Sequence, residues 1–299
     1  MDLWIIVTLS AAFFQTLRFM LHKVLSGGAL TATSSTFARF AYAAPAAVLV
    51  VGGYLVGTGQ GWPDLSPLFW AYALFGALGQ ILATVCVVAL FRQRNFAVGI
   101  TFKKTEVIQT ALLGLLVLGE HISAAGWGAI LIGLVGVLLL SDTPGPGGLL
   151  RRMGSRAVAL GLASGMFFAV SGVGYRGASL EIASDAPFLR AGVTLVCVVV
   201  SQAIGMALWL RVFEPGQITA VWAARRTALW LGLTSMAGSL SWFTAFTLQT
   251  AAYVQALGQV ELVFSLMASA LFFKERITRR ELTGIGFLCL SVLILALVL

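Results

Sequence analysis

The sequence predicts an all-α integral membrane protein with ten transmembrane helices, arranged as two inverted five-helix repeats. Three observations carry that prediction: the composition, the spacing of long apolar runs, and a series of matches between the two halves of the chain. Of 299 residues, 59% are hydrophobic and 10% charged, where an ordinary globular protein is about a quarter charged. Mean hydropathy is +0.97. A soluble domain of this length has too little interior to hide so much apolar surface, and a disordered chain has the opposite composition. The formal charge of +8 and the pI near 9.9 raise the question of nucleic acid. The basic residues, however, sit between or at the ends of apolar runs, which predicts membrane lipids as surroundings and no nucleic-acid partner.

A helix of about 20 apolar residues crosses the hydrocarbon core. Runs of that kind fall at roughly 3–24, 32–57, 68–90, 97–118, 122–141, 157–178, 187–212, 227–248, 252–273 and 281–298. They are continuous, unlike the short alternating segments of a β-barrel. Short connections rich in turn residues join them, including Ser26-Gly27-Gly28, the stretch 57–61 ahead of Pro63 and Pro67, and Glu214-Pro215-Gly216. The start, Met1-Asp2-Leu3-Trp4, lacks the basic n-region and cleavage site of a signal peptide, so the first run is expected to be a retained span. The longest break, Ser141 to Gly148, is dense in Pro and Gly and leads to Arg151, Arg152 and Arg156, which reads as a flexible linker. It divides the chain into a first unit over 1–143, a linker over 144–156 and a second unit over 157–299.

The halves match internally. A shift of 155 residues lays Glu106 on Glu261, Phe91 on Phe246, Ala97 on Ala252 and Glu120 on Glu275; a shift of 154 lays Ser10, Phe13 and Phe14 on Ser164, Phe167 and Phe168. Arg39 and Arg190 match at a shift of 151. Such ordered matches mark an internal repeat. Five spans per repeat make the second half enter from the opposite side. Lys23, Arg92, Arg94, Arg151, Arg152, Arg156, Arg211, Arg225, Arg226, Lys274, Arg276, Arg279 and Arg280 flank or occupy odd-numbered loops, while the loops after spans two, four and eight have no Lys or Arg and Arg176 only approaches the loop after span six. By the positive-inside rule the odd loops are cytoplasmic and both termini face outward.

With these features the chain resembles the drug/metabolite transporter superfamily, of the EamA-type ten-span kind, once per half. The most specific element is a Glu, an apolar stretch, then a Gly-Glu or Lys-Glu before the next span: Glu106 to Gly119-Glu120, and Glu261 to Lys274-Glu275. Val107 and Leu262 stand where the family often has Pro. The resemblance implies a central cavity walled by spans 1, 3, 4, 6, 8 and 9, with spans 5 and 10 peripheral. It also implies export of small metabolites such as amino acids, within a family whose substrates extend to nucleotide sugars.

Charged groups at mid-membrane are the informative residues, because each costs about 2.5–3.5 kcal/mol on insertion scales unless it is paired or faces water. Span four carries Lys103, Lys104 and Glu106; span nine carries Glu261 at the matching depth, with Gly258 and Gln259 where the lysines stand in the first half. Lys103 and Glu106 are i, i+3 neighbours able to pair, whereas Lys104 lies on a different helix face. These groups fit an ionic substrate site, with a lysine meeting a carboxylate or phosphate and a glutamate meeting an amine or cycling a proton. They fit equally a buried network locking span four to span nine.

Helical spacing adds Gln15 (with Arg18), Gln80 and Thr84, Ser164 and Phe168 (with Ser171), Trp242 (after Ser235 and Ser239), and Gln255 with Gln259 as candidate lining residues. Amides and hydroxyls suit polar or zwitterionic groups, and Phe168 and Trp242 suit an apolar body. Interhelical hydrogen bonding explains the same pattern. Arg39 and Arg190 read as snorkelling or capping residues. Glu120 and Glu275 read as turn residues, and His22 and His121 as residues near membrane edges. Cys86, Cys197 and Cys289 read as small buried hydrophobes, and no metal or cofactor is expected. The stripe Gly126, Ala129 and Gly133 suits close packing, either within the chain or at a dimer face.

The sequence has none of the H-E-x-x-H, G-x-S-x-G or Walker A patterns that would suggest an enzyme or an ATP-driven pump. The residues therefore point to a non-enzymatic secondary transporter of a small molecule, in a bacterial cytoplasmic membrane, as a monomer or homodimer. A hydrophobic or aromatic amino acid meets both the cationic and the apolar demands. A phosphorylated metabolite or nucleotide sugar is the alternative substrate.

Overall fold

A computed structural model describes residues 2–26, 30–91, 102–140, 156–264, 266–267 and 278–298. Gly27, Gly28, Arg92, Arg94, Ala97, the linker through Arg152, Phe273, Lys274 and Glu275 lie outside the described residues. The described chain is helical, with no strand: α1 (Leu3–Ser26), α2 (Ala32–Thr58), α3 (Pro67–Phe91), α4 (Glu106–Leu118), α5 (Ala124–Leu140), α6 (Arg156–Leu180), α7 (Pro187–Phe213), α8 (Gln217–Ala223), α9 (Arg225–Leu248), α10 (Ala251–Gly258) and α11 (Arg279–Val298). Among them α1, α2, α3, α6, α7 and α11 are long and apolar enough to cross a membrane, and α4 and α5 are shorter apolar helices.

The sequence sets the helix ends locally. Thr31 opens α2 by accepting the Ser34 N–H on its hydroxyl, which satisfies one of the orphan donors of a first turn. Gly59 and Gly119 close α2 and α4 in the left-handed region, each at φ 66°, a conformation that costs glycine little. Pro187 opens α7 at a position where its missing N–H is not needed. The seven-residue α8 follows the Glu214-Pro215-Gly216 turn, a stretch that the apolar runs leave as a connection.

Polarity runs from outside in. Leu49, Phe75 and Leu116 are more than 70% exposed, whereas Lys103, Lys104 and Arg39 are 1% exposed. Such a distribution suits a molecule surrounded by lipid, where backbone polar groups must bond internally. Cys289 departs from the sequence expectation: it lies exposed on α11, while Cys197 is buried. An apolar outer surface accepts a thiol as readily as a core does.

Helix pairing follows the internal repeat. α3 packs on α6 and α1 on α9; α2 packs on α7, α4 on α10, and α5 on α11. The repeat shift lays α1 on α6 and α3 on α9, so exchanging the halves converts each pairing into itself or its counterpart. Small residues set the closest approaches. A Cβ on Gly174 of α6 would stand 2.8 Å from the Tyr72 carbonyl oxygen of α3. The Gly126–Ala129–Gly133 stripe is an internal seam: Gly126 faces the Tyr253 ring, Gly133 faces Ser291, and the Ser291 hydroxyl donates to the Ala129 carbonyl at 2.7 Å.

Gly174→Val should therefore lower stability by about 1–3 kcal/mol through overpacking. Gly128→Ala, with nothing within 4 Å of its new Cβ, should be neutral or stabilising by up to about 1 kcal/mol. Thermal melting of the two variants in one detergent checks the pair.

Candidate functional site

Two helical segments tighten beside their charged residues, at positions related by the 155-residue shift. Residues 102–103 are helical, Lys104 and Thr105 form a turn, and α4 begins at Glu106; α10 ends at Gly258, Gln259 and Val260 form a turn, and helix resumes at 261–264. The Thr105 N–H bonds three residues back to Phe102 at 3.2 Å, and Gln259, Val260, Leu262 and Val263 likewise reach back three residues, at 2.9–3.2 Å. This tighter winding re-aims successive side chains, and irregular backbone at membrane depth is tolerated where protein covers it. Gly165 of α6 provides that cover, since a Cβ there would lie 2.9 Å from the Lys103 carbonyl oxygen.

The re-aimed side chains form a buried ionic network. Lys103 Nζ lies 3.0 Å from Glu106 Oε2 and 3.9 Å from Glu261 Oε1, and Lys104 pairs with Glu261. The Gln259 amide donates to Glu106 at 3.2 Å, and the Gln15 amide donates to Glu261. Gln15 Oε1 in turn accepts from Arg18 at 2.8 Å and from the Trp242 indole at 3.1 Å. Lys103 also sits 4.8 Å from the centre of the Phe168 ring, a favourable cation–π placement.

Beside this network lies a narrow, partly open cavity. Its walls come from α1, α3, the 102–106 segment, α6, α9 and α10, the six segments the family resemblance implied. Gln15, Gln80, Lys103, Glu106, Phe168, Trp242 and Gln255 of the sequence candidates face it. Lys104 and Gln259 instead face a neighbouring cavity against α5, and Glu261 stands behind Gln15. Thr84 accepts a bond from Arg39 at 3.0 Å. Ser164 is fully buried with its hydroxyl donating to the Gly161 carbonyl at 2.9 Å within its own helix, away from the residues that line the central cavity.

Arg18, Tyr175, Phe243 and Phe246 also line the cavity. Arg18 carried a signal, its i, i+3 relation to Gln15; the aromatic rings were indistinguishable from core. Tyr175 stacks on Phe243 at 4.2 Å, and Trp242 on Phe246 at 5.6 Å.

Two edge assignments change. Arg39 does not snorkel: it is buried and donates to Ser235 at 2.6 Å, Thr84 at 3.0 Å and Ser239 at 3.4 Å. His22 is fully buried against the Ser35 hydroxyl at 3.0 Å. Arg190 does cap, donating to the Ser179 carbonyl near the end of α6 at 2.8 Å. Glu120 pairs with Arg176, whose guanidinium also holds the Phe246 and Gln249 carbonyls at 2.7 Å each. Among the described residues no cluster of His, Cys, Asp and Glu suits a metal ion.

A model of the EamA-like transporter family matches residues 2–142 and, a second time, residues 155–297. The chain belongs to the EamA-like transporter family. It is accordingly a multi-pass membrane protein of a transporter family, as its resemblance to EamA-type drug/metabolite transporters indicated. No curated protein matches it by sequence. A solved structure described only as "Crystal structure of protein" shares the fold, with a TM-score of 0.72 over 99% of this chain and 96% of the other at 14% identity.

The ionic network makes a coupling prediction. Lys104→Met and Glu261→Gln should each destabilise this EamA-family protein by about 3–5 kcal/mol, by stranding a buried partner. The double variant should cost less than the sum of the two, read as a coupling in thermal melts.

Proposed function

We propose that the chain is a secondary transporter that exports small metabolites such as amino acids across a bacterial cytoplasmic membrane. In this reading two five-helix units, joined by the 144–156 linker and threaded in opposite directions, rock about the central cavity and expose it to each side in turn. The exchange symmetry of the helix pairs supports the two-unit arrangement, and the paired helix interruptions support a midplane site. The arginine and lysine bias of the odd loops supports cytoplasmic placement of those loops and outward termini. Surroundings of lipid and a monomeric or dimeric state complete the proposal.

The observation that carries the substrate reading is Arg18. It is 2% exposed on the cavity wall, bonds to the Gln15 amide, has no carboxylate of the described residues at ion-pair distance, and leaves its Nε without a partner. A buried guanidinium of that kind is poised for a carboxylate, which it meets with paired donors. Glu106 on the same wall still has acceptor capacity for an amine, and the surrounding rings suit an apolar side chain.

In proteoliposomes loaded with hydrophobic amino acids, Arg18→Gln should raise KM by about tenfold or more, the worth of a charge-assisted hydrogen bond. Glu106→Gln should impair transport of the amino acid more than that of its deaminated analogue. Wild-type kinetics in both variants, with the folded fraction intact, would reject this site.

A further inference from the structure

A second cationic centre lies away from the ionic network. Arg39 of α2 is 1% exposed, and among the described residues no carboxylate stands at ion-pair distance from it. A buried charge without a counter-ion is costly, by several kcal/mol. Its three protein bonds run to the hydroxyls of Ser235, Ser239 and Thr84. Most buried Ser and Thr hydroxyls in this molecule return their proton to a carbonyl of their own helix, as Thr8, Thr110, Ser164 and Thr247 do. The three around Arg39 have no acceptor among the described residues, so each still holds an unspent O–H donor.

The cluster borders a small cavity with room for about one water-sized group, with Arg39, Ser235, Ser239, Gln80 and Gln202 as its polar lining and apolar walls from α2 and α7. The guanidinium and the three hydroxyls offer donors around one positive charge, the Gln202 Oε1 is a neutral acceptor without a partner, and what is missing is an acceptor with a negative charge. Gln80 lines this cavity and the central one alike. Its Oε1 accepts from Gln202 at 3.0 Å, so an amide pair forms the partition between the two. One stripe of α9 serves both, with Trp242 on the central side and Ser235 and Ser239 on the other.

We propose that Arg39, Ser235, Ser239 and Thr84 form a second anion site, which takes a singly charged group the size of a halide or a carboxylate. The site stands on its own geometry and does not depend on the transport reading. Its occupant has two sources, a free inorganic anion or the acid group of a substrate passing Gln80, and both present the same chemistry to the guanidinium.

Sodium bromide and sodium acetate are the probes. Bromide soaked into crystals of the full chain should give an anomalous peak at hydrogen-bonding distance from Arg39 and Ser239, and Arg39→Gln should abolish it. In detergent, bromide should raise the melting temperature saturably at constant ionic strength. The Ser235→Ala/Ser239→Ala variant keeps the charge and removes two donors, and its half-saturating bromide concentration should rise by about tenfold. That variant carries the test where Arg39→Gln fails to fold. Acetate competing with bromide assigns the site to a substrate's acid group, and bromide binding without acetate competition assigns it to an inorganic anion; both outcomes support the site. A bromide peak confined to Arg18, or equal titrations of wild type and variants, overturns it and leaves the central-cavity reading standing.

Discussion

Ionised groups removed from water must find partners, and in this protein that constraint organises the interior. Lys103 and Glu106 satisfy each other within one segment, while Lys104 and Glu261 do so across two. The two segments are thereby held together at the depth where both tighten their winding. An apolar exterior leaves no other place for these charges. The packing of α4 on α10, the approach of α6 at Gly165 and the seat of the central cavity all follow from that arrangement.

The two halves share a scaffold and differ in charge. At the repeat shift, Lys103 and Lys104 correspond to Gly258 and Gln259. Glycine at 258 is also a packing requirement, because a Cβ there would come within 2.3 Å of the Trp242 ring. One half therefore supplies cations to the shared interior, and the other supplies the aromatic surface beside them.

Long apolar runs made the helices legible from sequence, because lipid requires each spanning segment to bond internally. The Lys103–Glu106 pair was legible too, being local in sequence. Arg39 was not. Its position near the start of α2 reads as an edge, and its burial depends on hydroxyls of α9 almost two hundred residues away and on Thr84 of α3. The tightening at Lys104-Thr105 has no Pro or Gly to announce it, so it emerges only from tertiary packing. Glu120 read as a turn residue from its neighbours, and its Arg176 partner needed the fold. Thr84 and Gln80 share a helical face in sequence, yet only Gln80 lines the central cavity, because the Arg39 guanidinium claims the threonine.

The proposed transport site needs a central cavity that water and anions reach, governed by Arg18, which has no carboxylate at ion-pair distance among the described residues. Thiol labelling at Ser171 on its wall tests this most directly, in a background carrying Cys86→Ala, Cys197→Ala and Cys289→Ala. Ser171→Cys should react with an anionic methanethiosulfonate reagent faster than with a cationic one of similar size, and Arg18→Gln should remove that preference. Absence of labelling by either reagent in folded protein, or a preference for the cation, would contradict the account.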